Sequence, residues 1–483
     1  MDLKETMKIQ KIKPVETEFF KSAIAKDSAD FSIAKILAWI KEKNDEVISR
    51  VTQIPLDKMR LWHFDSQTGN LVHNTGHFFS IEGVRIKTNW RNIPTWDQPI
   101  INQPEIGLLG ILAKKINGVL HFLMQAKIEP GNLNMVQISP TLQATKSNYT
   151  RVHKGKTPAF LEYFNGEKPV KILLDQLQSE QGARFLRKRN RNIIVEIKES
   201  EVLFIPENFI WMTLGQLKEL IKCENVVNMD TRTVISGIPF GSYGTDTLNY
   251  FLAAISSGQF NEYLIHSMLN NELYLNDFNH IISWITNLKF RYELIVNSIP
   301  LKQVKKWCFD GMSIYHDEKK YFSIIGVKVE IGNREVVSWD QPMVKPVQEG
   351  LIAFIVKLIN GVYHFLVQAK LEAGNFDILE LAPTVQCLTG NYRTGFNEYT
   401  VPFINEVLNA KKDKIWYSAL QSEEGGRFYK EQNCNMIIEA ADDFSIEVPE
   451  NYCWMTLNQL LIFIRFNNYL NIAARSLISV ISF

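Results

Sequence analysis

Two polar stretches, each written twice in this chain, have the residue types and spacing that proton transfer and anion binding require. From Val119 to Glu129 the sequence alternates, so His121, Gln125, Lys127 and Glu129 share one side of a strand, opposite Leu120, Phe122, Met124, Ala126 and Ile128. A carboxylate held beside a lysine can take up a proton. The same split recurs 243 residues later, with His364, Gln368, Lys370 and Glu372 opposite Tyr363, Phe365, Val367, Ala369 and Leu371. Further along, Asn148, Tyr149, Arg151, His153, Lys154 and Lys156 surround Gly155. Cations beside a glycine suit a phosphate or diphosphate, which wants charge-assisted hydrogen bonds and close backbone approach. The second copy keeps Asn391 and Tyr392 but loses most of that charge. A second basic cluster, Arg184 with Arg187 to Arg191, is likewise diluted to Arg427, Lys430 and Glu431, so an anion bound once per chain favours the first copy. Glu180 and Glu423 follow Gln-Ser and precede a glycine, which suits either a bend near the pocket or the commoner place of a carboxylate, the surface. Asp97 and Asp340, between Trp and Gln-Pro, either position a ligand or cap a turn before proline.

The elements that must position these groups are duplicated too. Trp96–Pro99 returns as Trp339–Pro342, Gln178–Phe185 as Gln421–Phe428, and Trp211–Leu214 as Trp454–Leu457. So long a period means two domains rather than a solenoid. A common core would explain matched apolar residues, but matched Glu, Lys, Gln and Arg mark a present or former site in each half. Asn117-Gly118 and Asn360-Gly361 predict two-residue hairpins. Thr213 with Gln216, and Thr456 with Gln459, predict capped helices. Ile33, Ile36, Leu37 and Ile40 lie on one face of an opening helix, whose counterpart carries Ile281, Ile282, Trp284 and Ile285. The expected class is α+β, with a twisted, mixed or mostly antiparallel sheet and flanking helices in each half. The expected division is an N-terminal tail 1–30, a first module 31–240, an apolar helical connector 241–277 without a partner, and a second module 278–483.

Composition narrows the function classes. Net charge is +1 over 483 residues, which offers no global field for nucleic acid or an anionic membrane. Five cysteines without C-x-x-C spacing suggest neither a zinc site nor a disulfide framework, and fit a reducing cytoplasm. The apolar run Ile106–Ala113 is too short to span a bilayer, and residues 1–26 lack the apolar core of a signal peptide. No G-x-G-x-x-G after a strand, Walker A, H-E-x-x-H or G-x-S-x-G motif occurs, so nothing asks for NAD, ATP hydrolysis, zinc or a serine nucleophile.

Four strings carry a resemblance: Met124–Asn132, Ser139–His153, Leu177–Gly182 and Asn228–Thr233. They resemble the NDP-hexose 2,3-dehydratases of deoxysugar biosynthesis, and the likeness spans nearly the whole chain, both copies included. It implies tandem Nudix-like modules, a homodimer, and a TDP-4-keto-6-deoxyglucose substrate with no metal and no redox cofactor. The glutamate-rich metal-binding helix of hydrolytic Nudix enzymes is absent from this sequence. In a 4-keto sugar the carbonyl acidifies the C3 proton, and the C2 hydroxyl stands beta to that carbonyl. The reaction therefore needs a base, an enolate donor and an acid for the departing hydroxyl. On this reading Glu129 or His153 is the base and Tyr149 the acid or enolate donor. Lys127, Arg151, Lys154 and Arg184 hold the diphosphate, with Gln125, Asn148 and Glu180 lining the site and Trp96 either stacked on thymine or part of the core. Trp339, Gln368, Lys370, Glu372, Asn391, Tyr392, Glu423 and Arg427 form an equivalent second-copy pocket, weaker or vestigial.

Two rivals follow from the same residues. A nucleotide-sugar-binding or regulatory protein would keep the basic loops without needing a base. A metal-dependent pyrophosphohydrolase would need a carboxylate cluster for magnesium, which the sequence lacks.

Overall fold

The computed structural model describes residues 14–27, 32–90, 93–145, 157–254, 262–332, 338–387 and 401–482. Both hairpins form as expected. Asn117 and Gly118 take φ of 52° and 77°, Asn360 and Gly361 53° and 78°, the left-handed pair that lets a two-residue turn follow the strand twist. Strands Gly107–Ile116 and Val119–Ile128 pair antiparallel across the first turn, Gly350–Ile359 and Val362–Lys370 across the second. Each hairpin is the middle of a seven-stranded sheet. In the first, Arg189–Glu196 runs parallel to Gly107–Ile116, while Lys171–Ser179 and Phe209–Thr213 complete the main path antiparallel. The second repeats this order with Gln432–Glu439 as its parallel strand. Each half is thus a mixed α+β unit.

The capping boxes are also present. Thr213 and Thr456 accept from the backbone three residues on, and Gln216 and Gln459 return the bond to the cap, starting helices Leu214–Ile221 and Leu457–Ile464. In the opening helix Ile33–Asp45, Ile36 and Ile40 are buried but Leu37 is exposed, so its inward stripe is narrower than the spacing suggests.

Repetition also reaches further upstream than the sequence reading allowed. In helix Pro14–Ile24, inside the expected tail, the Ser22 hydroxyl donates to Leu120 O at 2.6 Å and accepts from Leu214 N at 2.9 Å. In helix Glu262–Leu269, inside the supposedly unpartnered connector, Ser267 donates to Tyr363 O at 2.6 Å and accepts from Leu457 N at 2.9 Å. The two helices do the same work in the two halves. Apart from that serine they share too few residues for the repeat to be visible.

The halves exchange strands. Ser49–Ile54 from the first pairs with Phe322–Ile331 of the second, and Leu294–Ile299 from the second pairs with Ser80–Thr88 of the first. Each of two five-stranded sheets is therefore built from both halves. Between them lies a shared apolar core in which Phe185 and Phe428 meet edge to face at 5.8 Å, burial worth roughly 1.5–3 kcal/mol per large side chain. At the pseudo-twofold centre Arg232 and Arg475 are almost fully buried and reach across: Arg232 bonds Ser422 O and Ser476, and Arg475 bonds Ser179 O and Thr233.

Tight glycine crossings lock the exchange. Gly131 N donates to Gly425 O at 2.7 Å, and Gly374 N donates to Gly182 O at 2.7 Å. A Cβ on Gly131 would lie 1.6 Å from Phe428 O, and one on Gly374 1.6 Å from Phe185 O. Only glycine allows the backbones this close.

Candidate active site

A cavity of about 630 Å³ opens on the polar face of strand Val119–Ile128, a size typical of small-molecule sites. Gln125, Lys127 and Glu129 line it, as alternation predicted. Because Ala126 and Ile128 pack into the apolar core on the strand's other side, the three polar side chains are turned to one wall. Glu129 is buried, and its Oε1 accepts from Gln143 Nε2 at 2.8 Å. Gln143 in turn accepts from Asn228 Nδ2 at 3.4 Å. Lys127 Nζ stands 3.8 Å from the same carboxylate. Glu129 Oε2 is buried without a hydrogen-bond partner among the described residues, which leaves a lone pair facing the chemistry.

Four further carboxyl groups line the cavity: Glu180, Asp230, Asp340 and Glu424. Asp230 lies in the first turn of helix Met229–Ser236, which Asn228 caps by accepting from Thr231 N at 2.8 Å. Burial first, then the neighbouring charges of Glu424, Glu129 and Glu180, push the Asp230 carboxyl well above the usual range. Glu424 is pushed up to about 8, chiefly by burial, with Glu129 and Glu180 adding to it and Arg427 and Lys188 opposing it. Glu180 is raised by burial, while the Lys188 ammonium and a hydrogen bond from Asn190 oppose the shift. Lys188 is brought down to about 8 by desolvation. Cations and carboxyls that burial raises toward the neutral form thus share one space.

The second half supplies the opposite wall. Trp339, Asp340, Gln341, Glu424, Gly426 and Arg427 all face the cavity. Trp339 Nε1 donates to Gln341 Oε1 at 2.7 Å, and Gln341 Nε2 donates to Gly426 O at 2.7 Å, so the Trp-Asp-Gln-Pro strand holds the Glu424–Arg427 loop. Asp340 neither caps a turn nor stands free. It sits within strand Ser338–Pro346 and accepts from Arg60 N at 2.7 Å and Arg60 Nη2 at 3.0 Å. Asp97 likewise lies within a strand and is clamped by Arg85 at 2.8 Å. The Arg427 guanidinium is stacked 4.1 Å from the Phe79 ring centre and donates from Nε to Gln103 at 3.2 Å.

This arrangement corrects the grouping expected from sequence. Trp96 and Arg184, assigned to the first pocket, do not line the cavity; Trp339 and Arg427, assigned to the second, do. Trp96 packs beside Val84, Ile86, Ile100 and Ala373 and donates to Gln98 at 2.9 Å. Arg184 stacks 4.1 Å from the Phe322 ring centre, in the field of Glu431, Glu372 and Glu423. The physical reason is the exchange of halves: each Gln-Ser-Glu-x-Gly-x-Arg loop crosses to the other copy's polar strand. Gln368, Lys370, Glu372 and Glu423 surround the pseudo-equivalent place, apart from this cavity. There Gln368 turns to Pro383 O at 2.7 Å, Lys370 to Gln386 O at 3.1 Å, and Glu423 accepts from Asn433 at 2.6 Å. Glu372 is bonded by Gln386 at 3.0 Å and by the Gly182 backbone. His121 is buried against Val119 O at 2.9 Å and does not line the cavity. Asn148, Tyr149, Arg151, His153, Lys154, Asn391 and Tyr392 lie outside the described residues.

Sequence reasoning missed Glu424 and Asp230. A signal was there. At matched positions Glu424 faces Gln181, Asp230 faces Ala473, and Lys188 faces Glu431. Charged groups present in only one copy are those a shared fold does not require.

A pocket of this size lined by acids and cations has the groups that acid–base chemistry on an anionic substrate needs. Among the described residues, no group of three or more His, Cys, Asp or Glu side chains is placed to hold a metal ion, and no helix is long and apolar enough to cross a membrane. The NDP-hexose 2,3-dehydratase family model matches residues 33–238 and 278–481. The chain is 44% identical over 461 residues to dTDP-4-dehydro-6-deoxy-alpha-D-glucopyranose 2,3-dehydratase of Saccharopolyspora spinosa, covering 95% of this chain and 93% of that one. It is 40% identical over 469 residues to the protein of that name from Amycolatopsis orientalis, covering 95% and 92%. This chain belongs to the NDP-hexose 2,3-dehydratase family, and it is a hydro-lyase.

Proposed function

We propose that the chain removes water across C2 and C3 of dTDP-4-keto-6-deoxyglucose, and that the cavity around Glu129 is where it does so. The observation that carries the location is the buried, unpartnered Glu129 Oε2 on a wall shared with Lys127. Glu129 takes the C3 proton, which the neighbouring carbonyl acidifies. The hydroxyl at C2 departs, and the resulting enol tautomerises to a 3,4-diketo-2,6-dideoxy sugar. Arg427 and Lys188 are cations placed for the diphosphate. Arg151 and Lys154 join them in this reading on the family resemblance alone. Trp339 replaces Trp96 as the surface for thymine.

We further take each half as a Nudix-like module, supported by its mixed sheet with a central parallel pair, with the expected spans 31–240 and 278–483 extended upstream to take in helices Pro14–Ile24 and Glu262–Leu269. A homodimer rests on the family resemblance and is tested by sedimentation velocity. The function is tested by incubating the protein with dTDP-4-keto-6-deoxyglucose and following the loss of one water by mass spectrometry. An unchanged substrate mass refutes the reading.

A further inference from the structure

Resting on that reading, the geometry points to a catalytic residue that the second half delivers into the first half's pocket: we propose that Glu424 protonates the C2 hydroxyl as it leaves. Its loop, between strands Ile415–Ser422 and Gln432–Glu439, is fixed at two carbonyls by three hydrogen bonds. Gly425 O accepts from Gly131 N at 2.7 Å, and Gly426 O accepts from Gln341 at 2.7 Å and from Arg427 Nη1 at 2.8 Å. The loop aims Glu424 at the base. A Cβ built on Gly426 would lie 2.5 Å from Glu424 Oε1 and 3.5 Å from Glu129 Oε1, so both carboxylates converge on one patch of wall. In the other copy this patch is Gln181 and Ala183, an amide that cannot donate an acidic proton and a methyl where the glycine leaves space. The cavity thus differs from its pseudo-equivalent where a second proton-transfer group and room for a substrate are needed.

Burial and the neighbouring carboxylates Glu129 and Glu180 raise Glu424 toward its protonated form against the pull of Arg427 and Lys188. A carboxyl raised toward its neutral form beside a second carboxylate that can take a proton is the division of labour that elimination requires. The C3–H electron pair becomes the C2–C3 double bond, and Glu129 holds the proton. The C2–O pair stays on oxygen, takes the Glu424 proton and leaves as water. Tautomerisation then gives C2 a proton and removes one from the C3 oxygen, so charge and atoms balance without oxidant or reductant.

The test separates acid from base. Glu424→Gln is assayed for dehydration, for exchange of the C3 hydrogen in deuterium oxide by NMR, and for fluoride release from the 2-deoxy-2-fluoro analogue, whose leaving group needs little protonation. Dehydration should fall by roughly 10²–10⁴-fold, while C3 exchange stays within about tenfold of wild type and fluoride release is largely kept. Glu129→Gln should lose all three. The proposal is overturned if Glu424→Gln dehydrates normally, if it loses exchange and fluoride release together, or if Asp230→Asn shows the split pattern instead. A wild-type protein inert to the ketosugar overturns the substrate reading, and this assignment with it.

Discussion

Replacing Gly131 by alanine should break the active site from the outside, because that glycine is where one half touches the loop carrying Glu424. The added Cβ would lie 1.6 Å from Phe428 O and 2.7 Å from Phe428 C, where ordinary contact begins at 3.4 Å. Both atoms are backbone, so no side chain can swing away. Two cross-half bonds, Gly131 N to Gly425 O at 2.7 Å and Lys430 N to Gly131 O at 2.9 Å, are strained with them. Overpacking costs about 1–3 kcal/mol and each lost bond about 0.5–1.5 kcal/mol, so roughly 2–6 kcal/mol of stability should disappear. A retreat of about 1 Å at Glu424 and Arg427 should also lower kcat/KM by about 10²-fold. The assays are thermal melting and steady-state dehydration well below the wild-type Tm. Gly374→Ala meets the mirror clash with Phe185 O and should lose as much stability. A Gly131→Ala protein with native Tm and native kcat/KM would refute the reasoning, since the halves would then not meet as described.

Glu424 acts protonated, so kcat should fall as pH rises through about 8, the value to which burial and its acidic neighbours bring it. The measurement is the kcat–pH profile, in which a flat alkaline limb counts against the assignment. Arg427→Ala removes a charge-assisted bond worth about 1.5–3 kcal/mol, and KM for the nucleotide sugar should rise roughly ten- to a hundredfold. An unchanged KM would place the diphosphate elsewhere. Glu380 is raised from 4.5 to about 8, mainly by burial, with Ser179 donating to it at 2.8 Å. A folded value above the unfolded one means its contribution is fully present below pH 4.5 and lost as pH rises through about 8. Glu380→Gln copies Gln137 at the matched position, and should raise Tm at pH 9 relative to wild type but not at pH 4. A uniform Tm change across that range would contradict the linkage.

Much of the local structure was legible because it is decided by short-range rules. Asn117-Gly118 permits only a tight hairpin, Thr213 and Gln216 cap the helix they start, and alternation along Leu120–Glu129 turns three polar groups to one wall. The joining of the halves was not legible. An internal repeat is symmetric under exchange, so Arg184 and Arg427 fit either pocket equally well on paper, and nothing in Ser49–Ile54 states which half it will pair with. Trp96 and Arg184 therefore lie outside the cavity that their own half suggests for them. Gly131 and Gly374 were visible as repeated glycines, but their reason, a carbonyl oxygen of the other half where a Cβ would sit, is a tertiary contact. Asp230 and Glu424 stood out only by differing from Ala473 and Gln181, a contrast that matching residues conceals.

The central claim is that one composite cavity, built on Glu129, performs the elimination. Its most direct test is product mass spectrometry on wild type, Glu129→Gln and Glu372→Gln with the same ketosugar. Glu129→Gln should form no dehydrated product while Glu372→Gln, altered at the pseudo-equivalent carboxylate, keeps turning over. Dehydration by Glu129→Gln, or its loss only in Glu372→Gln, would contradict the account.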